Sequence, residues 1–451
     1  MVEGVYCGDE GEVVVAVRPC WRERDRCGIC RRRSPGFDLG VGRRRWRALD
    51  LGTTFAYVEA DAPRVTCRRH GVVVCAVPWA RHHARFTRAF EDQVAWLAVH
   101  CSKSAVAELM RIAWRSVGGI CARVASEAQR EVDLLAGLRR IGIDEISHRT
   151  GQRYLTVVVC HDSGRLVWAA PGRDRQTVEA FFDALGKERC KKIELVSCDM
   201  ASWIAGPVAE RCPNAVRCVD PFHVVALATD ALDEVRREVW NQARRAGHPQ
   251  EARALKGARF ALWKNPGDLT DRQQTKLAAI AQTNKPLYRA YLLKEQLRQI
   301  YRLPFAAATV LLDRWLEWAR RCRLAPFVKL ARTITEQRSG IVAAIEHGLS
   351  NARVEAINTQ IRLITRRAFG FHSANALIAL AMLTLRRSLP TTTRTTHMTH
   401  GNDRRPEFRR SARYLSRHHL RSAQVKSNQE EAHVQHHPGD PYGSSAAVGG
   451  N

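Results

Sequence analysis

Three carboxylates, far apart in the chain, stand where a metal-dependent reaction could use them. Asp144 closes the apolar run Leu138-Arg139-Arg140-Ile141-Gly142-Ile143, and Asp199 closes the run Glu194-Leu195-Val196-Ser197-Cys198. Glu355 falls inside Ser350-Asn351-Ala352-Arg353-Val354-Glu355-Ala356-Ile357-Asn358, in a late amphipathic helix. Acids at the C-terminal ends of neighbouring strands converge, and hard oxygen donors suit Mg²⁺ or Mn²⁺. Two such ions activate a water or a 3′-hydroxyl and stabilise the leaving oxygen in phosphoryl transfer. Taken singly, each Asp could equally be a strand-end turn or a helix cap; the ordered set is what points to chemistry.

Asp220 competes for the second position. Val219-Asp220-Pro221-Phe222-His223 also places an acid just past a strand, with a histidine three residues on. Asp199 is favoured because it follows the strand reached directly after the first core helix, which leaves Asp220 and His223 as supporting groups or contacts to the scissile strand. Asn351, Glu355 and Asn358 recur at spacings of four and three and so share one helix face. Arg353 stands beside Glu355, and Arg362, Arg366 and Arg367 lie on the following turns. One acid among several arginines suits a metal site next to phosphates.

Cys27-Gly28-Ile29-Cys30 and Cys67-Arg68-Arg69-His70 form two ligand pairs. Four N/S donors in two turns make a tetrahedral structural Zn²⁺ site. A redox role for the CxxC would need a βαβ context that is missing here. Between Ser104 and Val124 the pattern is helix, turn, helix, with Val106 and Leu109 before a break at Arg111-Ile112-Ala113 and Val117, Ile120 and Val124 after it. The second helix is expected to offer Arg115, Ser116 and Arg123 to a DNA groove.

The elements that must position these residues change character along the chain. Residues 1–85 carry short β-type runs, such as Val13 to Val17 and Val72 to Val74, and read as a small zinc-binding β module. Residues 86–135 turn helical, with Phe90, Val94 and Leu97 at helical spacing. Residues 138–225 predict strands at Ile141 to Ile143, Tyr154 to Cys160 and Arg165 to Ala170, a helix from Gln176 to Leu185, then strands at Ile193 to Cys198 and Val216 to Val219. Turns at Gly151-Gln152 and Asp162-Ser163-Gly164 join the first three strands, giving an α/β core with a mixed sheet. Residues 226–345 read as helical throughout, packed by Trp240, Trp263, Trp315 and Trp318, and residues 346–389 return to the core as its last helices. From 390 to 451 the chain is rich in Thr, Arg and His, then Gly and Ser, and is expected to be a disordered basic tail.

Charge narrows the partner. Lys and Arg number 72 against 45 Asp and Glu, a formal net charge of +27, so polyanions and above all double-stranded DNA are expected. The 14 cysteines are scattered through predicted core elements, which suits a reducing compartment. No secretory signal is visible, and Ala374 to Leu385 is too short an apolar stretch to span a bilayer. A cytoplasmic, nucleoid-associated protein with no membrane partner is the expectation.

Gly142-Ile143-Asp144-Glu145, Val219-Asp220-Pro221-Phe222-His223 and the Ser350 to Asn358 block, followed by Arg366-Arg367-Ala368-Phe369-Gly370-Phe371, resemble the signatures of bacterial insertion-sequence transposases of the ISL-three group. Those carry an N-terminal zinc ribbon, a helix-turn-helix and a DDE catalytic domain. The likeness runs in consistent order from residue 27 to 388, and its late block is the most specific part. It implies a multidomain α/β protein whose ribonuclease-H-like mixed sheet is interrupted by an all-α insertion. It implies two catalytic ions at Asp144, Asp199 and Glu355, and Zn²⁺ at Cys27, Cys30, Cys67 and His70. It also implies strand cleavage and transfer at the element ends, within a homo-oligomeric synaptic complex. The chain departs from the pattern at His70, where a cysteine is expected. The rival reading is a zinc-containing DNA-binding regulator or an inactive remnant.

Overall fold

The computed structural model describes residues 1–149, 151, 153–371 and 373–385. The expected tail from 390 onward, residues 386–389 of the expected last core helices and Gln152 of the expected first turn lie outside the described residues. The chain opens with strands β1 (Val2–Cys7), β2 (Val13–Val17), β3 (Gly36–Asp38), β4 (Arg43–Arg47), β5 (Ala56–Asp61), β6 (Arg64–Cys67) and β7 (Gly71–Val74). They form a four-stranded sheet in the order β1-β2-β5-β4 and a three-stranded one in the order β3-β6-β7. The β6–β7 hairpin turns at Gly71, whose φ of 66° is left-handed, and this turn carries Cys67 and His70.

Three helices follow: α1 (Arg88–His100), α2 (Lys103–Leu109) and α3 (Trp114–Glu131). Thr87 and Ser102 cap the first two by accepting from the N–H groups of Phe90 and Ala105. The turn between α2 and α3 includes Arg111 at φ 52°, and Arg47 reaches across from β4 to donate to the Arg111 carbonyl.

The central sheet contains β8 (Arg140–Arg149), β9 (Arg153–Cys160), β10 (Arg165–Pro171), β11 (Leu195–Cys198) and β12 (Val216–Val219), in the order β10-β9-β8-β11-β12. The first three strands meander antiparallel, whereas β8, β11 and β12 run parallel. Parallel neighbours need crossovers. The first is supplied by α4 (Arg175–Leu185) and α5 (Lys187–Cys190), the second by α6 (Ser202–Arg211). The sequence pattern did not show α6, because Gly206-Pro207 interrupts its apolar spacing. Asp144 was expected to end the first core strand; instead β8 runs five residues further and holds it mid-strand, since β9 pairs with β8 through Arg149.

Beyond β12 come α7 (Pro221–Arg245), α8 (Pro249–Lys256), α9 (Arg259–Trp263), α10 (Asp271–Thr283), α11 (Lys285–Ile300), α12 (Phe305–Arg321), α13 (Ala325–Glu336) and α14 (Arg338–Glu346). They pack around Trp315, Leu293, Leu297 and Phe327, with Trp240, Trp263 and Trp318 partly buried against the same cluster. Gly340 lets α14 lie on β12, since a Cβ there would stand 2.7 Å from Val219 Cγ2. The described chain closes with α15 (Ala352–Arg367) and α16 (Ala374–Leu385).

The pleat of β8 sorts its side chains. Ile141 and Ile143 pack with Phe181 and Phe182 of α4 and with Ile204 and Val208 of α6. Ile146 faces the other way, into a core built with Val354, Ile357 and Ile361 of α15 and Leu377 and Leu380 of α16. That same core takes in Phe90 and Val94 of α1 and Val117, Ile120 and Val124 of α3. The helix-turn-helix and the central sheet therefore share one apolar interior.

Candidate active site and zinc centre

Sheet register builds the acid site. Ser197 on β11 pairs with Gly142 on β8 and with Cys218 on β12. Two residues further along each strand line stand Asp144, Asp199 and Asp220, level with one another across three adjacent parallel strands. At about 4.8 Å between strands the row spans roughly 10 Å. Asp144 and Asp220 are buried, whereas Asp199 is half-buried and accepts from the N–H of Ala201 at 2.8 Å.

Helix α15 lies over this row. The Asn351 N–H donates to Asp220 Oδ1 at 3.0 Å, and Asn358 Nδ2 donates to Asp144 Oδ2 at 2.9 Å. Glu355 sits between these two attachments. The close approach depends on Gly142, where a Cβ would stand 2.4 Å from Val354 Cγ2 and 2.8 Å from His161 Nε2. Beneath it runs a buried polar chain: His161 Nε2 contacts Ser197 Oγ at 2.6 Å, and Ser197 Oγ donates to Asn351 Oδ1. Gly142, His161 and Ser197 were not singled out from sequence; the two asparagines were, but only as members of Glu355's helix face.

The carboxylates feel one another. Burial pushes Asp144 up to about 7, against the N–H of Glu145, with the charges of Glu145 and Asp199 adding to the rise and His223 opposing it. Burial and then Asp199 raise Glu145, while Arg173 and His223 pull it down. Burial and then Asp220 raise Glu355, against His223 and Arg362. Glu145, which sequence reasoning passed over, pairs with Arg173 at 2.9 Å. Asp220 Oδ2, Glu145 Oε2 and Asn358 Oδ1 are buried oxygens without a hydrogen-bond donor. Crowded carboxylates, each pushed up by burial and by a neighbouring acid, are a donor set that fits divalent cations.

The zinc centre is more compact. Cys27, Cys30, Cys67 and His70 offer donor atoms all within 4.8 Å of one another, the one such cluster among the described residues. Cys30 Sγ lies 3.7 Å from Cys67 Sγ, and His70 Nδ1 lies 3.6 Å from Cys27 Sγ and 3.5 Å from Cys67 Sγ. A tetrahedron with Zn–S of about 2.3 Å and Zn–N of about 2.0 Å has edges of roughly 3.5 to 3.8 Å. The cluster thus has the dimensions of a Cys₃His zinc site, and His70 serves as well as a fourth cysteine would.

The arginines expected at DNA divide. Arg115 is exposed and Ser116 half-buried at the start of α3, and Arg353, Arg366 and Arg367 are exposed along α15. Arg123 is not free: its guanidinium bonds Glu91 Oε1 through Nε at 2.8 Å. Glu91 is fully buried and also meets Arg81 at 3.2 Å, so Arg123 is held by an internal ion pair on the inner side of the helix. Among the described residues no helix is long and apolar enough to cross a membrane.

Residues 141–381 match a family model described as "Transposase", and residues 75–125 match the helix-turn-helix domain of transposase family ISL3. The chain belongs to the ISL3 family of transposases. Residues 23–70 match the zinc-finger of transposases IS204/IS1001/IS1096/IS1165, a span that contains all four zinc-centre residues. Among relatives, the chain is 56% identical over 403 residues to the transposase for insertion sequence element IS1557 of Mycobacterium tuberculosis (strain ATCC 25618 / H37Rv), covering 85% of this chain and 91% of that protein. It is 29% identical over 332 residues to the transposase for insertion sequence element IS1001 of Bordetella parapertussis, covering 73% and 81% respectively. As a DDE transposase, the chain has Asp144, Asp199, Asp220 and Glu355 all inside the catalytic-domain match. That domain implies a divalent metal, and the Cys₃His cluster supports structural zinc.

Proposed function

We propose that this transposase binds the terminal inverted repeats of an insertion sequence and cuts and joins DNA at Asp144, Asp199 and Glu355 with Mg²⁺ or Mn²⁺. The observation that carries this reading is the level row of acids on β8 and just past the ends of β11 and β12, with Glu355 on the helix laid over it. Two ions bound there would supply an activated nucleophile and charge neutralisation at the scissile phosphate. Asp144, with both oxygens engaged by Glu145 N–H and Asn358 Nδ2, presents its carboxylate in one fixed plane. Asp199, the more accessible Asp of the row, acts on Asp144 through its charge, and Glu355 lies on α15 between the two attachments of that helix. Arg353, Arg366 and Arg367 hold the DNA backbone beside it.

The strand order, with three antiparallel strands leading into two parallel ones, supports a ribonuclease-H-like core over 138–225 and 346–389. The helices of 226–345 are then an all-α insertion into it. Residues 1–85 and 86–135 serve as the zinc-ribbon-like module and the end-binding helix-turn-helix. Arg115 and Ser116 at the start of α3 are the side chains placed to meet a groove. Two copies acting on paired element ends at the nucleoid complete the reading. Full-length protein incubated with labelled element-end duplex and Mg²⁺ tests it: nicks at the element boundary and joined products are expected. Specific binding without metal-dependent nicking would overturn it in favour of a DNA-binding regulator or an inactive remnant.

A further inference from the structure

We infer that Asp220 and Asn358 are positioning residues that fasten α15 to the sheet at both ends of its Glu355 segment, and that Asp220 acts in this way and not as a metal ligand. This rests on the two-metal reading of Asp144, Asp199 and Glu355.

Geometry carries the argument. Asp220 is 1% exposed, and its Oδ1 accepts from the Asn351 N–H. Asn351 is the N-cap residue of α15, and Asp220 is itself the N-cap residue of α7. One buried carboxylate therefore lies where two helix N-termini meet, a place that favours negative charge through the peptide dipoles alone. Seven residues further on, Asn358 Nδ2 holds Asp144 Oδ2. Seven residues of α-helix span about 10.5 Å, and two strand spacings span about 9.6 Å, so the segment matches the distance from β12 to β8. Glu355 is left between the fasteners, above the row.

Two further neighbours of Asp220 belong to the same support. His223 Nε2 stands 4.0 Å from Oδ2, and the Tyr301 hydroxyl, beyond the end of α11, is buried without a hydrogen-bond partner and feels the charge of Asp220. Asp199 differs in exposure: it is half-buried and its charge acts on Asp144 and Glu145, whereas the charge of the fully enclosed Asp220 acts on Glu355 on the helix it fastens.

Substitutions separate fastening from metal binding. Asp220→Asn keeps an oxygen that can accept from Asn351 N–H but loses the carboxylate charge; Asp220→Ala loses both. The first readout is amide hydrogen exchange of the segment 350–358 in full-length, Zn-loaded, Mg²⁺-free protein. Asp220→Asn should exchange like wild type there, and Asp220→Ala should exchange at least about tenfold faster. The second is cleavage of element-end DNA in Mg²⁺. Asp220→Asn should stay within about tenfold of wild type, whereas Asp199→Asn should fall by about a thousandfold or more with exchange unaltered. Asn358→Ala should raise the Mg²⁺ concentration needed for half-maximal cleavage by about tenfold, with metal-free DNA-end affinity unchanged.

Asp220→Asn as inactive as Asp199→Asn, with normal exchange, would make Asp220 a ligand and overturn the assignment. Unchanged exchange in Asp220→Ala would remove the fastening role. An Asn358→Ala protein that loses rate equally at every Mg²⁺ concentration would make Asn358 a packing residue only. If wild type itself fails to cleave, the proposed activity fails, while the exchange comparison still decides whether Asp220 fastens α15.

Discussion

Asn358 donates from Nδ2 to Oδ2 of Asp144 at 2.9 Å, joining residues 214 positions apart and tying the last catalytic-domain helices to the first strand of the sheet. With Asp144 Oδ1 already accepting from Glu145 N–H, the carboxylate has no rotational freedom left. That constraint costs stability, because a buried acid must be kept beside other acids.

Asp144 therefore gives a testable pH signature. Its folded-state value of about 7 lies above the ordinary 3.8, so the folded protein keeps a proton that the unfolded chain loses. Stability from this group is fully present below about 4 and is lost as pH rises toward 7. His161, which burial holds down at about 4, works in the opposite sense below its ordinary 6.5. The clean measurement is consequently a difference. In Mg²⁺-free buffer, the Tm advantage of Asp144→Asn over wild type should be small near pH 4.5 and grow through pH 7.5. The same variant should keep specific affinity for the element end and lose metal-dependent nicking; normal nicking would remove Asp144 from the site.

Gly142 makes the contact possible. An alanine methyl there would stand 2.4 Å from Val354 Cγ2 and 3.0 Å from Ser197 Oγ, so α15 must shift. Gly142→Ala should cost about 1 to 3 kcal/mol in denaturant unfolding, the usual range for overpacking. Adding Val354→Ala should recover part of the loss, since it empties the space the methyl needs. A Gly142→Ala protein as stable and active as wild type would show that the helix does not depend on this approach.

How much of this was legible in the residues follows from what each signal depends on. Strands β9, β10, β11 and β12 were readable because their apolar runs are local, and the Asn351, Glu355 and Asn358 face because helical spacing is local. Asp144's place in mid-strand was not, since the polar run after it becomes strand only by pairing with β9. Helix α6 was hidden by Gly206-Pro207, although two parallel strands in succession require a crossover between them. The ion pair of Arg123 was hidden for a related reason: a charged residue on a helix reads as exposed unless its buried partner, here Glu91 from another helix, is known. The common core of α1, α3, β9 and α15 is likewise a long-range fact with no local trace.

The zinc centre makes a stoichiometric prediction. Purified full-length protein should hold one Zn²⁺ per chain, because four donors at tetrahedral spacing come from a hairpin turn and a loop that have little core of their own. Cys27→Ser combined with Cys67→Ser should abolish the bound zinc and make the first 85 residues protease-sensitive, with the central sheet still folded. Zinc retained unchanged in that variant would sink the ligand assignment. His70→Cys should keep the metal, since the Nδ1 position is also within reach of a thiolate.

Arg115 and Arg123 lie on one helix and should fail differently. Arg115 is exposed at the start of α3, where a helix-turn-helix meets its groove, so Arg115→Ala should weaken element-end binding by about 1 to 3 kcal/mol if it reads a base edge, with little change in Tm. Arg123→Ala strips one of two arginines from the fully buried Glu91 and should instead lower stability by about 1 to 3 kcal/mol. Because α3 shares its core with the sheet, that loss should also reduce cleavage at temperatures near the melting transition. Gel shifts and thermal melts on both variants decide the matter: an Arg123→Ala protein of wild-type stability that fails only in DNA binding would return Arg123 to the recognition surface, and the ion pair with Glu91 would then count for little.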